Sequence, residues 1–249
     1  MSVEELPLAD RLTDTSSIII AGPPMSGKYE LMHRIFGART DTALVLSTGH
    51  DAATVRDDYE SITGNNGDAV GVIDCVSREQ GVDVEDTELT KYISSPKNLT
   101  DLGVKFTQLT EAMADETPTV GLHSLSQLLM YWEADRIYQF TRVLLGQTQN
   151  QNWPTIAVIN ATMHDEQTIH TLLDPFETVV DTRTADEGRE MRIRGGCRRR
   201  RRGNSSERAS AGRHNRAKIV TGGRGSPGRA RNHVDSDGAG DDEADVHLG

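Results

Sequence analysis

Gly22-Pro23-Pro24-Met25-Ser26-Gly27-Lys28 constrains this 249-residue chain more than any other segment. It follows the β-branched run Ser17-Ile18-Ile19-Ile20-Ala21 and opens a helical pattern that runs from Gly27 to Phe36. A glycine-rich turn between a buried strand and a helix, closed by Gly-Lys, fits G-x-x-x-x-G-K. Its chemistry is physical. Glycines let the backbone wrap closely, amides near the helix start point at an anion, and the lysine reaches the terminal phosphate oxygens. Pro23 and Pro24 bring no N–H but stiffen the first half of the turn. The pattern predicts a phosphate-binding loop of Gly22, Pro23, Pro24, Met25, Ser26, Gly27, Lys28 and Tyr29, with ATP as the cofactor. Tyr29 breaks the pattern, because the residue after the lysine is ordinarily Ser or Thr, whose hydroxyl ligates Mg²⁺. A phenol oxygen lies several ångströms from that position, which puts Mg²⁺ binding in question.

The residues from 15 to 195 alternate short apolar runs with helical patterns. Strands are predicted at Ser17–Ala21, Ala43–Ser47, Ala69–Cys75, Thr119–Leu122, Thr155–Ile159, Thr178–Val180 and Met191–Ile193. Helices are predicted at Gly27–Phe36, Asp51–Ile62, Asn98–Ala114 and Asp165–Leu173, with a further helical stretch at Leu125–Leu145 broken near Trp132–Asp135. Strands apolar throughout, alternating with helices, predict an α/β fold with a mostly parallel sheet covered on both faces.

Charge divides the chain. Of 27 Lys+Arg and 38 Asp+Glu, 12 basic and 7 acidic residues lie from Gly196 onward, so residues 1–195 carry about −16 and the remainder about +5. An acidic body argues against nucleic acid, whose phosphates need clustered cations. Abundant Asp and Glu with only five lysines suits a protein in concentrated salt, where self-repulsion is screened. Residues 1–14 read as an acidic lead-in without the apolar stretch of a signal peptide. Runs as short as Ile18–Ile20 cannot cross a bilayer. Two cysteines, Cys75 and Cys197, make no disulfide framework, and a reducing cytoplasm is expected. The segment 196–249 opens with Arg198–Arg202, is rich in Gly, and ends in an acidic run. It lacks the apolar residues that offset the entropy of ordering and is expected to be disordered. Three readings stay open for it: a nucleic-acid-binding arm, an inert extension, or the product of an out-of-frame reading of GC-rich coding sequence.

A second metal ligand in such folds is an Asp ending an apolar strand downstream. Val120-Gly121-Leu122 is the matching strand, and His123 stands at its end, followed by Ser124-Leu125-Ser126. A neutral imidazole suits Mg²⁺ poorly. Asp74, ending the third strand, is the alternative metal position. The strand carrying His123 is expected beside the strand that leads into Gly22. With Ile73-Asp74-Cys75 and Leu122-His123-Ser124-Leu125-Ser126-Gln127-Leu128-Leu129, the loop at Gly22–Lys28 resembles the RecA/KaiC-like P-loop ATPases, and most of all single-domain members from halophilic archaea. The resemblance covers about residues 15–195 and implies a RecA-type core sheet that binds nucleotide. It places Ser124 on the family's Ser and His123 where active members carry Asp. The family's water-activating Glu, after the second strand, is replaced by Ser47-Thr48-Gly49-His50-Asp51. His50, Asp51 and His123 are the candidates for catalytic groups, and no motif fixes any of them.

Three altered elements, at the P-loop hydroxyl, the Asp and the Glu, predict nucleotide binding with weak or absent hydrolysis and a regulatory or signalling role. Three alternatives stand beside it: a working ATPase in which Asp74, Asp51 or water supplies the missing ligands, a scaffold that binds no nucleotide, and a DNA recombination or repair accessory. Expected partners are nucleotide and a second copy of the chain or an active paralogue, with no membrane.

Overall fold

The computed structural model describes Leu12 and residues 15–185, 188–195 and 216–219. Nine strands pair into one sheet among these residues: β1 Ser17–Gly22, β2 Ala43–Ser47, β3 Val70–Asp74, β4 Thr90–Tyr92, β5 Thr119–His123, β6 Thr155–Asn160, β7 Thr178–Ala185, β8 Gly188–Gly195 and β9 Arg216–Ile219. Six helices connect them: α1 Lys28–Arg39, α2 Ala52–Thr63, α3 Leu99–Ala112, α4 Leu125–Leu128, α5 Ala134–Asn150 and α6 Glu166–Leu173. The order across the sheet is β4-β3-β2-β5-β6-β1-β7-β8-β9. Neighbours from β4 to β7 run parallel, and β7, β8 and β9 pair antiparallel. The fold is α/β with a mostly parallel sheet flanked by helices.

The apolar runs have a simple cause. Each central strand is buried on both faces, so neither side of it can be polar. In β1, Ile18 and Ile20 pack with Leu31, Met32 and Phe36 of α1 and Val55 and Tyr59 of α2. Ile19 and Ala21 face the opposite way, into a core shared with Leu102, Phe106 and Leu109 of α3 and Leu144 of α5. Side-chain caps set three helix starts: Asp51 accepts from the Thr54 N–H, Asn98 from Asp101 and Asp165 from Thr168. The predicted break in the fifth helical stretch is real and separates α4 from α5.

Two features differ from the sequence expectation. The strand β4 lies in a stretch read as polar loop. It is only three residues long, and Arg56 anchors it by donating to the Leu89 carbonyl at 3.2 Å and to Thr90 Oγ1 at 2.7 Å. β6 intervenes between β1 and β5, so the strand ending in His123 is not adjacent to β1, the strand that leads into Gly22. Within 196–249, the described residues Arg216–Ile219 pair antiparallel with β8 from Arg189 to Arg192. An edge strand offers unpaired backbone groups to whatever chain lies within reach. The rest of that segment, and the acidic lead-in apart from Leu12, lie outside the described residues. No helix among the described residues is long and apolar enough to cross a membrane.

Candidate functional site

All parallel strands end at one edge of the sheet, and the loops leaving β1, β5 and β6 there enclose a cavity of about 380 Å³. Its lining includes Met25, Lys28, Tyr29, His123, Asn160 and Arg189. Crevices at the carboxyl ends of parallel strands are where α/β folds place ligands.

The loop Gly22–Lys28 turns sharply where β1 ends. Met25 has φ 60° and Gly27 φ 79°, so two left-handed residues bracket Ser26. Met25 stands 91% exposed at the tip. Gly27 caps α1, and its left-handed backbone favours glycine. Gly22 has a different reason. A Cβ there would lie 2.2 Å from Thr182 Oγ1 and 2.5 Å from the Thr182 carbonyl oxygen. β7 therefore sits directly against the start of the loop, and the hydroxyls of Ser26 and Thr182 share a hydrogen bond of 2.7 Å. Ser26 also donates to the Pro23 carbonyl at 2.8 Å.

Lys28 lies in the first turn of α1 and is 5% exposed. Its Nζ donates to the Pro23 carbonyl oxygen and, at 3.3 Å, to Ser26 Oγ. Burial pulls its pKa down to about 8. A lysine so placed holds a charge with no carboxylate partner among the described residues, and an anion entering the cavity would provide a counter-charge.

Tyr29 is the centre of an aromatic group. Its ring stacks on His50 at 4.6 Å, meets His33 edge-on at 4.5 Å, and packs tilted against His123 at 4.6 Å. His50 and His123 lie 5.3 Å apart, ring to ring. Burial first, then the charges of Asp58 and Asp51, push the Tyr29 phenol above its ordinary pKa, so it stays protonated. Burial also lowers His33 to about 4, with the charge of His50 adding to it. His123 falls to about 3 from burial and the charges of His50, His33 and Lys28. Tyr29, His33 and His123 are thus uncharged near neutral pH. No cluster of three or more His, Cys, Asp or Glu suited to a metal occurs among the described residues.

The other candidates sort by geometry. His123 reaches the cavity although its strand is one removed from β1. Asp74 does not line it. Its carboxylate accepts from the backbone N–H of Ala52, Val76 and Ser77 and from the Ser77 hydroxyl, all within 2.7–2.9 Å. Those bonds tie the end of β3 to α2 and leave little capacity for a cation. Asp51 is the cap of α2, held by the Thr54 N–H at 3.0 Å and hydroxyl at 2.8 Å. Trp132 packs partly buried against the larger core with Arg136 over its ring.

Three polar residues of the cavity, Glu30, Asn160 and Arg189, escaped the sequence reading. Glu30 lies in the first turn of α1, Asn160 ends β6, and Arg189 is the second residue of β8. None of them stands in a recognisable local pattern, and sheet pairing alone brings Arg189 to the loop.

Residues 15–182 match a family of unknown function, DUF7504, and the chain belongs to it. No curated protein matches the sequence. Among solved structures, the flagellar accessory protein FlaH from Methanocaldococcus jannaschii is similar over 72% of this chain and 77% of that one, at 14% identity and a TM-score of 0.46.

Proposed function

We propose that this member of the DUF7504 family is a RecA/KaiC-like nucleotide-binding protein that takes up ATP at Gly22–Tyr29, hydrolyses it slowly or not at all, and serves a regulatory or signalling role. The observation that carries the reading is Lys28: a buried ammonium at the head of a helix, in a curled loop at the carboxyl edge of a parallel sheet, with no carboxylate partner among the described residues. A polyphosphate supplies the missing counter-charge, and the loop's backbone N–H groups add to it.

The case against rapid hydrolysis rests on what stands around that lysine. Phosphoryl transfer draws most of its rate from metal charge and a positioned base. Tyr29 and His123 occupy the two positions where oxygen ligands for Mg²⁺ are needed, and they pack against each other. Asp51 and Asp74, the nearby acids that could compensate, are committed to backbone N–H groups. Neutral imidazoles are poor ligands for a hard cation.

Calorimetric titration of ATP with and without Mg²⁺ tests the reading. The protein should bind ATP saturably, with no gain from Mg²⁺, and Lys28→Ala should abolish binding. The double variant Tyr29→Ser/His123→Asp restores two oxygen ligands and should make binding Mg²⁺-dependent. Absence of saturable binding by the parent protein would instead favour a scaffold that has kept the fold without the ligand.

A further inference from the structure

We infer that Arg189 is a second phosphate ligand of the cavity, a guanidinium brought across the P-loop by β8 to supply positive charge where no divalent cation is held. The inference rests on the nucleotide-binding reading above and goes beyond it, since Arg189 lies in no phosphate-binding pattern.

Position comes first. Arg189 lines the same cavity as Lys28 and Asn160. Its side chain lies against the loop's last glycine, where a Cβ on Gly27 would come within 2.7 Å of Arg189 Nη1 and 2.8 Å of its Cδ. Gly27 is thus needed for its backbone conformation and also for the room this guanidinium takes.

Chemistry comes second. A triphosphate without Mg²⁺ carries about four negative charges, more than Lys28 alone offsets. Arginine keeps its charge at any working pH, and its planar fork matches phosphate oxygens bidentately. Nη1 donates to Glu30 Oε2 at 2.7 Å, and Nε and Nη2 have no hydrogen-bond partner among the described residues. Glu30 is the one acid lining the cavity among the described residues. Its other oxygen accepts from Arg34 Nη2 at 2.7 Å and Nε at 3.1 Å. Glu30 therefore holds Arg189 in place without depending on it, and a phosphate can share or displace that contact while Glu30 stays paired with Arg34. Partial burial pushes the Glu30 carboxyl up, but Arg34 and Arg189 outweigh it and hold the group below its ordinary range, charged near neutral pH.

Calorimetric titration with ATP, ADP and inorganic triphosphate in EDTA, on the parent protein and on Lys28→Ala, Arg189→Gln, Arg189→Lys and Glu30→Gln, tests the assignment. Losing a charge-assisted contact to phosphate should weaken ATP and triphosphate binding by about tenfold or more in Arg189→Gln. Arg189→Lys should recover part of that loss. Glu30→Gln keeps a carbonyl oxygen for Arg189 and removes a negative charge from the cavity, so it should bind ATP at least as tightly as the parent. A purely structural ion pair predicts otherwise, because both partners' variants would then weaken binding together. That result, or Arg189→Gln matching the parent, overturns the role of Arg189 and leaves nucleotide binding standing. If the parent itself shows no saturable binding, both fall.

Discussion

Lys28 carries its charge where the protein opposes it. Its closest partners are a carbonyl and a hydroxyl, and burial brings its pKa to about 8. The cavity therefore holds a lysine whose charge is lost just above neutrality. A polyphosphate needs that charge, so ATP affinity should be steady below about pH 7 and fall by about tenfold per pH unit above about pH 8. An arginine side chain does not titrate in this range and adds nothing to the slope. Isothermal titration at a series of pH values reads this directly. A flat profile up to about pH 9.5 would show that Lys28 does not meet the phosphates. The residues around it were unequally legible. Gly22 to Tyr29 are contiguous, and their spacing alone states a geometry. Arg189 lies 159 positions from its partner Glu30, and nothing near it in sequence announces the contact.

At the scale of elements, the loop depends on how closely β7 approaches β1. Gly22 stands where any Cβ would press on Thr182, backbone and side chain alike. Gly22→Ala should therefore destabilise the protein by about 2–3 kcal/mol, as overpacking does where backbone cannot yield. Urea denaturation of the two proteins measures it, and equal midpoints would mean that β7 can shift. The same strand explains what the sequence could and could not reveal. β1, β2, β3, β5 and β6 were readable because double burial leaves each with an apolar run. The reach of the β7–β8 hairpin was not, since both strands run past their apolar residues into Thr182, Arg183, Arg189 and Glu190. β4 has only Thr90, Lys91 and Tyr92, too few for any period to show. The order of strands, with β6 between β1 and β5, depends on helix packing that no local pattern encodes.

For the whole molecule, the helices cover the sheet with two cores, and the smaller one contains a histidine. His33 is fully buried between Tyr29, Phe36 and Tyr59, and neither ring nitrogen has a hydrogen-bond partner among the described residues. His33 and His123 titrate near 4 and 3 in the folded protein against an ordinary 6.5. The unfolded chain thus binds protons that the folded one refuses. Their contribution to stability is complete above about pH 6.5 and is lost as pH falls toward about 3. Denaturation midpoints should drop across that window, and His33→Phe should flatten part of the slope. A midpoint independent of pH there would mean that both imidazoles can be protonated in place.

The central claim concerns the fate of bound nucleotide. In the proposed reading Tyr29 and His123 stand at the places of two metal ligands, and the candidate acids Asp51 and Asp74 are taken up by backbone N–H groups, so that reading also lacks a positioned base, worth about 10²–10⁴-fold. Phosphate release from Mg-ATP by the parent protein, measured in concentrated KCl against Lys28→Ala, tests this most directly. The account predicts turnover indistinguishable from the Lys28→Ala control, in a protein that binds ATP. Hydrolysis at about 1 s⁻¹ or faster, in the ordinary range of enzymes and lost in Lys28→Ala, would contradict it.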